Sequence, residues 1–318
     1  MEKRLLEVQN LKIYYKTTTL PVRAVDGVSF SVKKKEILGL AGESACGKST
    51  LASGILKLIV PPAYMAGGKV LYRGKDLYGM SEEELRQIRW KSIAFSPQSS
   101  MNALNPVMKI CGQFSDAIEA HRGKKRKKDL IKHISNLLRS VALPPRIAEE
   151  YACNLSGGMK QRVVIGMGMA LDPELIVADE PTSSLDVVVQ RGVLEMFVAL
   201  KEKQDTSVML VSHDIAILAE VADRIAIIYA GKIMEIQDVM GIFEEPLHPY
   251  TQALIDSVPS FKTKGIPRSI AGLPPDLRNP PSGCRFYPRC YKAMDICRKE
   301  EPKYDEIGPG KFVACHLY

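Results

Sequence analysis

An α/β fold follows from three features of this 318-residue sequence. A short apolar run, Glu36–Ala41, stops at Gly42 and passes through a glycine-bearing turn into Ser49–Leu58, whose apolar spacing suits a helix. Two more continuous apolar runs, Leu175–Ala178 and Val208–Val211, have the character of parallel strands covered on both faces. Helix-like stretches separate and follow them, the alternation that builds a mostly parallel sheet. Composition agrees: 46% hydrophobic and 25% charged residues suit a globular chain with a sizeable core and exclude a disordered one.

The other elements follow in order. Leu6–Tyr15 and Ala24–Val32 read as extended segments and Lys69–Tyr72 as a further short strand, together a partly antiparallel sheet. From Ser99 to about Val164 the pattern is mainly helical, broken by Asn105-Pro106, a basic run and Pro144-Pro145, which predicts an inserted helical subdomain at about 99–165. After Phe243 the character changes: eleven of the twenty prolines and four cysteines lie in residues 246–318. That tail reads as a separate loop-rich module behind a main domain of residues 1–245, as expected for a length above the ~250–300 residues at which single cores stop growing. A small disulfide-stapled scaffold is excluded, and the absence of an internal repeat of useful length argues against a tandem duplication.

No uncharged apolar run approaches the ~20 residues that cross a bilayer. Met1-Glu2-Lys3-Arg4 leads into alternating residues instead of a signal-peptide core, so the chain is expected in the cytosol. The net charge of +8 is local, with six basic residues between Arg122 and Lys128. Such a run reads as a solvated helix face, with anionic lipid headgroups and, less well supported, nucleic acid as alternatives. Little aromatic interleaving accompanies it, so no nucleic-acid partner is expected.

Three motifs carry chemistry. Gly42-Glu43-Ser44-Ala45-Cys46-Gly47-Lys48-Ser49 has the phosphate-loop pattern, in which backbone amides cradle phosphates, the lysine reaches the β- and γ-phosphates and the serine hydroxyl binds magnesium. Leu175-Ile176-Val177-Ala178-Asp179-Glu180 is an apolar strand ending in two carboxylates, where ligands of open α/β sheets bind. Asp179 suits magnesium, directly or through water, and Glu180 suits a general base that polarises an attacking water. Leu155-Ser156-Gly157-Gly158-Met159-Lys160-Gln161-Arg162 opens a helix with a serine cap and two glycines, leaving free amides at the positive end of the dipole.

In this order the motifs resemble the ATP-binding subunits of ABC transporters over roughly residues 5–245, with Ser156, Gly157 and Gly158 in the signature motif. The resemblance implies a P-loop NTPase (RecA-like) core, an antiparallel β subdomain, the inserted α-helical subdomain and a small Cys-rich C-terminal extension. It implies ATP on Gly42, Ser44, Ala45, Cys46, Gly47, Lys48, Ser49 and Thr50, with Mg2+ on Ser49, Gln98 and Asp179. Glu180 becomes the catalytic base, Gln98 the hinge-loop glutamine that senses magnesium and water, Ser184-Leu185-Asp186 the Asp-loop and His213 the γ-phosphate contact. Tyr15 would stack on adenine, with Tyr14 as the other candidate, since alternation along a strand puts only one of them on the binding face. Phosphate-loop and signature residues belong to opposite faces of a head-to-tail ATP sandwich, so the resemblance also implies a second ATP-binding subunit, identical or related.

Gln98-Ser99-Ser100-Met101-Asn102-Ala103-Leu104-Asn105-Pro106 and His248-Pro249-Tyr250-Thr251 resemble the oligopeptide and dipeptide branch of that family. This implies a peripheral protein on the cytoplasmic face of the membrane, with two transmembrane permease subunits and an extracytoplasmic solute-binding protein. Import of dipeptides or oligopeptides is the expected function. A nickel or oligosaccharide importer of the same branch is one alternative, and a soluble ABC ATPase that remodels nucleic acid or ribosomes is another. One position departs from the branch, which commonly has glycine where Ala45 stands; if φ is positive there, alanine costs about 1–2 kcal/mol.

Cys284, Cys290, Cys297 and Cys315 fall in the last 35 residues, with five, six and seventeen residues between them. Four thiolates can hold a [4Fe–4S] cluster or tetrahedral zinc, although no short Cys-x-x-Cys knuckle supports a zinc ribbon. The tail resembles the C-terminal region of dipeptide-type ATPases, some of which carry an iron–sulfur cluster, and so implies a [4Fe–4S] cluster, with zinc, free thiols or disulfides as alternatives.

Overall fold

The computed structural model describes residues 4–98, 103–123, 126–183, 185–258 and 270–318. It divides into two compact units, Met1–Tyr78 with Leu210–Tyr318, and Gly79–Met209.

The first unit begins with β1 (Arg4–Tyr15), β2 (Val22–Lys33), β3 (Ile37–Ala41), α1 (Lys48–Ile55), β4 (Ala63–Tyr72) and β5 (Lys75–Asp76). An antiparallel sheet runs β2-β1-β4-β5. Along β1 the buried face changes from Leu6 and Val8 to Leu11 and Ile13, because a bulge between Val8 and Leu11, with Asn10 at φ 47°, inserts one residue into the alternation. β4 starts six residues before the expected Lys69, since Gly67 and Gly68 hide the strand pattern. β3 is buried at every position and delivers the chain to the phosphate loop.

The second unit holds α2 (Glu82–Ile88), β6 (Ile93–Ser96), α3 (Ile110–Arg122), α4 (Lys127–Ser140), α5 (Gly157–Gly168), β7 (Leu175–Asp179) and α6 (Val187–Gln204). β6 pairs with β7 in parallel, Ile93 opposite Leu175, and every residue of β7 is buried. The expected helical segment is here: α3 buries Ile110, Gln113, Phe114 and Ile118, and α4 buries Leu130, Ile134, Leu137 and Leu138, one stripe each at helical spacing. Of the basic run, Arg122 is tied to Asp172 at 2.9 Å and to the Leu171 carbonyl, while Arg126, Lys127 and Lys128 are exposed around the start of α4. Lys124 and Lys125 lie outside the described residues, as do Ser99–Asn102 of the hinge loop.

The chain continues through β8 (Ser207–Ser212), α7 (Ile215–Val221), β9 (Arg224–Tyr229), β10 (Lys232–Asp238), α8 (Val239–Glu244), α9 (Pro249–Asp256), α10 (Asp295–Lys299), β11 (Asp305–Gly308) and β12 (Lys311–Val313). From Leu210 onward these residues belong to the first unit. β3 pairs with β9 in parallel, Leu40 opposite Ala226. β9 turns back into antiparallel β10, and β10 takes β12 on its other edge, Glu235 opposite Val313. The C-terminal segment read from the sequence as a separate module therefore adds a hairpin to this unit's sheet, where β10 would otherwise present a row of unpaired backbone groups. Among the described residues no helix is long and apolar enough to cross a membrane.

Candidate nucleotide site

The candidate residues lie on both units, and each half is built by its own elements. On the first unit the loop from Gly42 to Ser49 joins β3 to α1. A Cβ on Gly42 would stand 2.1 Å from the Ile228 carbonyl oxygen, and one on Gly47, at φ 106°, the same distance from that of Ala24, so neither position admits a side chain. Ala45 has φ 61°, the left-handed conformation that its sequence departure made costly. Lys48 is 6% exposed, and its ammonium donates to the carbonyls of Gly42 at 2.8 Å and Glu43 at 2.9 Å, which centres the charge within the loop. Cys46 is buried beside it with its thiol pKa raised by that burial, while Ser44, Ala45 and Ser49 are exposed.

Tyr15 shares a hydrogen bond with the Thr50 hydroxyl at 2.9 Å, whereas Tyr14 donates to Asp26 at 2.6 Å and meets Tyr64 edge-on. Strand alternation thus sends Tyr15 to the start of α1 and Tyr14 to the buried Asp26–Arg285 pair. His213 is exposed just after β8; the Ser212 hydroxyl accepts from the Asp214 amide, and Asp214 caps α7.

On the second unit Asp179 ends β7 at 2% exposure, and Glu180 follows at φ 48°. The Ser183 amide and hydroxyl both donate to the Glu180 carbonyl, closing the turn, and Gln98 Nε2 donates to Glu180 Oε2 at 3.2 Å. Ser156 caps α5 through the Met159 amide, and Asp186 caps α6 through the Val189 amide at 3.0 Å. A Cβ on Gly158 would stand 2.7 Å from Val189 Cγ1, so the second signature glycine lets the start of α5 pack against the start of α6. Ser184 of the Asp-loop lies outside the described residues. A glycine-bearing loop that admits no Cβ, a centred lysine and exposed hydroxyls at a helix start fit a nucleotide's phosphates, and each unit by itself offers oxygen donors of the kind Mg2+ takes, Ser49 on the first and Asp179 and Gln98 on the second.

The tail differs from expectation. Cys284 and Cys297 are buried, Cys290 and Cys315 half-buried, and the Cys284 amide donates to the Cys297 carbonyl at 2.8 Å. Burial pushes the Cys284 thiol up to about 11, with the neighbouring thiols of Cys297, Cys315 and Cys290 adding to the rise. Burial also raises Cys290 and Cys315. Among the described residues no group of three or more His, Cys, Asp or Glu side chains is placed to hold a metal ion, so the structure gives the expected [4Fe–4S] cluster, or zinc, no support.

Sequence reasoning missed four side chains that shape the site. Gln113 ties the hinge loop to α3 through bonds to the Asn105 amide and to the Asn105 and Met108 carbonyls. Arg289 and Tyr250 hold Glu43 of the phosphate loop, and Arg285 reaches Asp26. A carboxylate inside a phosphate loop is the one sequence signal that could have prompted a search for a cation near Glu43.

A phosphate loop behind a buried parallel strand, with a carboxylate-tipped strand and an amide-rich helix start on the second unit, defines an α/β nucleotide-phosphate-binding protein. The ABC transporter family matches residues 25–183, and the oligopeptide/dipeptide transporter C-terminal region matches residues 234–297. The chain is 44% identical to the dipeptide transport ATP-binding protein DppD of Caldanaerobacter subterraneus subsp. tengcongensis, over 99% of this chain and 97% of the relative. It is 40% identical to the oligopeptide transport ATP-binding protein OppD of Bacillus subtilis, over 99% and 89% respectively. Among solved structures it is similar to the dimeric MJ0796 bacterial ABC transporter cassette, with TM-score 0.67 and 27% identity over 74% of this chain and 98% of that one. The same cassette, in a dimeric post-hydrolysis state bound to ADP and Pi, matches with TM-score 0.67 and 26% identity over the same shares. The chain belongs to the ABC transporter family, as an ATP-hydrolysing subunit of the oligopeptide/dipeptide transporter type.

Proposed function

We propose that this subunit drives import of dipeptides or oligopeptides across the cytoplasmic membrane, from a peripheral position on its cytoplasmic face. The observation that carries this reading is the presence, in one chain, of both the ABC ATPase region and the oligopeptide/dipeptide C-terminal region, with full-length similarity to dipeptide and oligopeptide transport ATP-binding proteins.

In this reading the amides of residues 44–47 and the Lys48 ammonium bind the phosphates of ATP, Thr50 extends the cradle, and Tyr15 stacks on adenine, supported by its contact with Thr50. Ser49, Asp179 and Gln98 would hold Mg2+, which would supply neutralisation of the phosphate charge. Glu180, in contact with Gln98, takes a proton from the attacking water as the new oxygen–phosphorus bond forms; the bond to the β-phosphate oxygen breaks and ADP leaves with it. His213 contacts the γ-phosphate. Ser156, Gly157 and Gly158, with Asp186, serve the nucleotide of a second ATP-binding subunit, so closure around two ATP molecules and reopening after hydrolysis would move two permease subunits supplied by an extracytoplasmic solute-binding protein. On the tail, Cys284, Cys290, Cys297 and Cys315 would hold a [4Fe–4S] cluster, a reading supported by their clustering in the last 35 residues, and no step runs through it. Acid-labile sulfide absent from anaerobically purified protein rejects it.

The transport reading is tested by tagged pull-down from detergent-solubilised native membranes. Recovery of two multispanning permeases, a sister ATPase and a peptide-loaded binding protein is expected. Recovery of ribosomes, nucleic acid or soluble partners alone overturns it.

A further inference from the structure

Glu43 stands one residue into the phosphate loop, where a carboxylate opposes the loop's chemistry: it repels the phosphates that the amides and Lys48 attract. Two contacts from the C-terminal part of the chain hold it. Arg289 Nη1 donates to Glu43 Oε2 at 2.8 Å and Nη2 to Oε1 at 3.0 Å, a bidentate pair whose guanidinium side chain is 5% exposed and whose carboxylate side chain is 23% exposed. The Glu43 backbone amide donates to the Tyr250 hydroxyl of α9 at 3.0 Å.

Arg289 is itself anchored. Its Nε donates to the Ala271 carbonyl, Nη2 to the Ile270 carbonyl and Nη1 to the Tyr229 hydroxyl, and its guanidinium lies 5.7 Å from the centre of the Tyr229 ring. Tyr229, Tyr250 and Phe286 pack against one another with ring centroids 4.6 to 5.3 Å apart, joining β9, α9 and the tail beside the loop. A mobile surface pair would give Glu43 little; a buried, forked and backbone-anchored arginine supplies a fixed counter-charge.

We propose that Arg289 is a positioning residue for ATP: by pairing with Glu43 it neutralises the one acidic side chain of the phosphate loop, so that the C-terminal segment sets the loop's affinity for nucleotide. The inference rests on the loop being the ATP site, which a Lys48→Ala control tests separately.

The test uses the full-length protein, with the Kd for ATP measured by calorimetry and KM and kcat measured for hydrolysis at low salt. Arg289→Met is expected to raise Kd and KM on the order of fivefold, shrinking as salt is added, with kcat within about twofold of wild type. Glu43→Gln in the Arg289→Met background restores the affinity, and Arg289→Lys, which keeps the charge, retains most of it. If Arg289→Met does not fold, Glu43→Gln alone carries the test: it removes the repelling charge and leaves the cation, so ATP binds more tightly. Unchanged or weaker ATP binding in Glu43→Gln, or no rescue in the double variant, overturns the proposal and leaves Arg289 a purely structural anchor. ATP binding that survives Lys48→Ala overturns the ATP-site reading itself.

Discussion

The Gln98 side-chain amide donates to the Glu180 carboxylate at 3.2 Å, joining residues 82 positions apart in the sequence and holding the carboxylate at one of its two oxygens. Glu180 is also set in a left-handed backbone conformation, φ 48°, uncommon for a residue with a side chain, by a turn whose amide and hydroxyl donors from Ser183 converge on its carbonyl.

From that contact, Glu180→Gln removes the proton acceptor while keeping shape and a hydrogen-bonding group. Single-turnover hydrolysis should fall on the order of 10²–10⁴-fold, while calorimetric ATP affinity stays near wild type. Near-normal turnover would exclude Glu180 as the base.

Ala45 at φ 61° carries strain that glycine would relieve. Because glycine also gains freedom in the unfolded chain, Ala45→Gly should raise stability by about 0.5–1 kcal/mol net. Urea unfolding without nucleotide measures this; a lower midpoint for the glycine variant contradicts the strain.

Asp26 and Arg285 form a buried pair, side chains 11% and 2% exposed, with Tyr14 donating to the same carboxylate. Burial opposes ionisation of Asp26, but the Tyr14 hydrogen bond and the charges of Arg285, Lys232 and Arg23 outweigh it and hold its pKa below 3.8. Its contribution is therefore complete above the unfolded carboxylate pKa and is lost as pH falls through the lower folded value. Asp26→Asn leaves Arg285 buried without its counter-charge and should cost about 3–5 kcal/mol at neutral pH, read from the shift in urea midpoint. A shift no larger than that of an exposed Asp→Asn change would refute the assignment.

His248 is 1% exposed, accepts from the Tyr250 amide through Nδ1, and has its pKa pushed down by burial from 6.5 to about 3. The unfolded chain thus binds the extra proton first, so stability is retained above pH 6.5 and declines between pH 6.5 and about 3. The slope from this group is about 1.4 kcal/mol per pH unit. Asn at this position can still accept from the Tyr250 amide, so denaturation of His248→Asn across that range should lack the slope; an unchanged pH profile would show that another group titrates.

The phosphate loop, the paired carboxylates and the serine cap at Ser156 were legible because phosphate binding and helix starts constrain neighbours a few residues apart, and such constraints are written in spacing. The buried strands β3, β7 and β8 were legible as continuous apolar runs. The full length of β4 was not, because glycines interrupt its pattern, nor was the β11–β12 hairpin, whose strands of 4 and 3 residues are too short to show alternation. The clustering of four cysteines and the resemblance of the tail suggested a [4Fe–4S] cluster, which the described residues do not support; how loops place thiols relative to one another is not recorded in spacing.

The sequence by itself determined the family, the order of its motifs and the residue types its chemistry needs, because those are local properties of the chain. Only the tertiary structure decided that the tail extends the sheet at β10, that Tyr15 and not Tyr14 reaches Thr50, and that Glu43 is matched by an arginine 246 residues away. Such pairings are set by which surfaces meet once the chain has closed its long loops, and no local periodicity encodes that meeting.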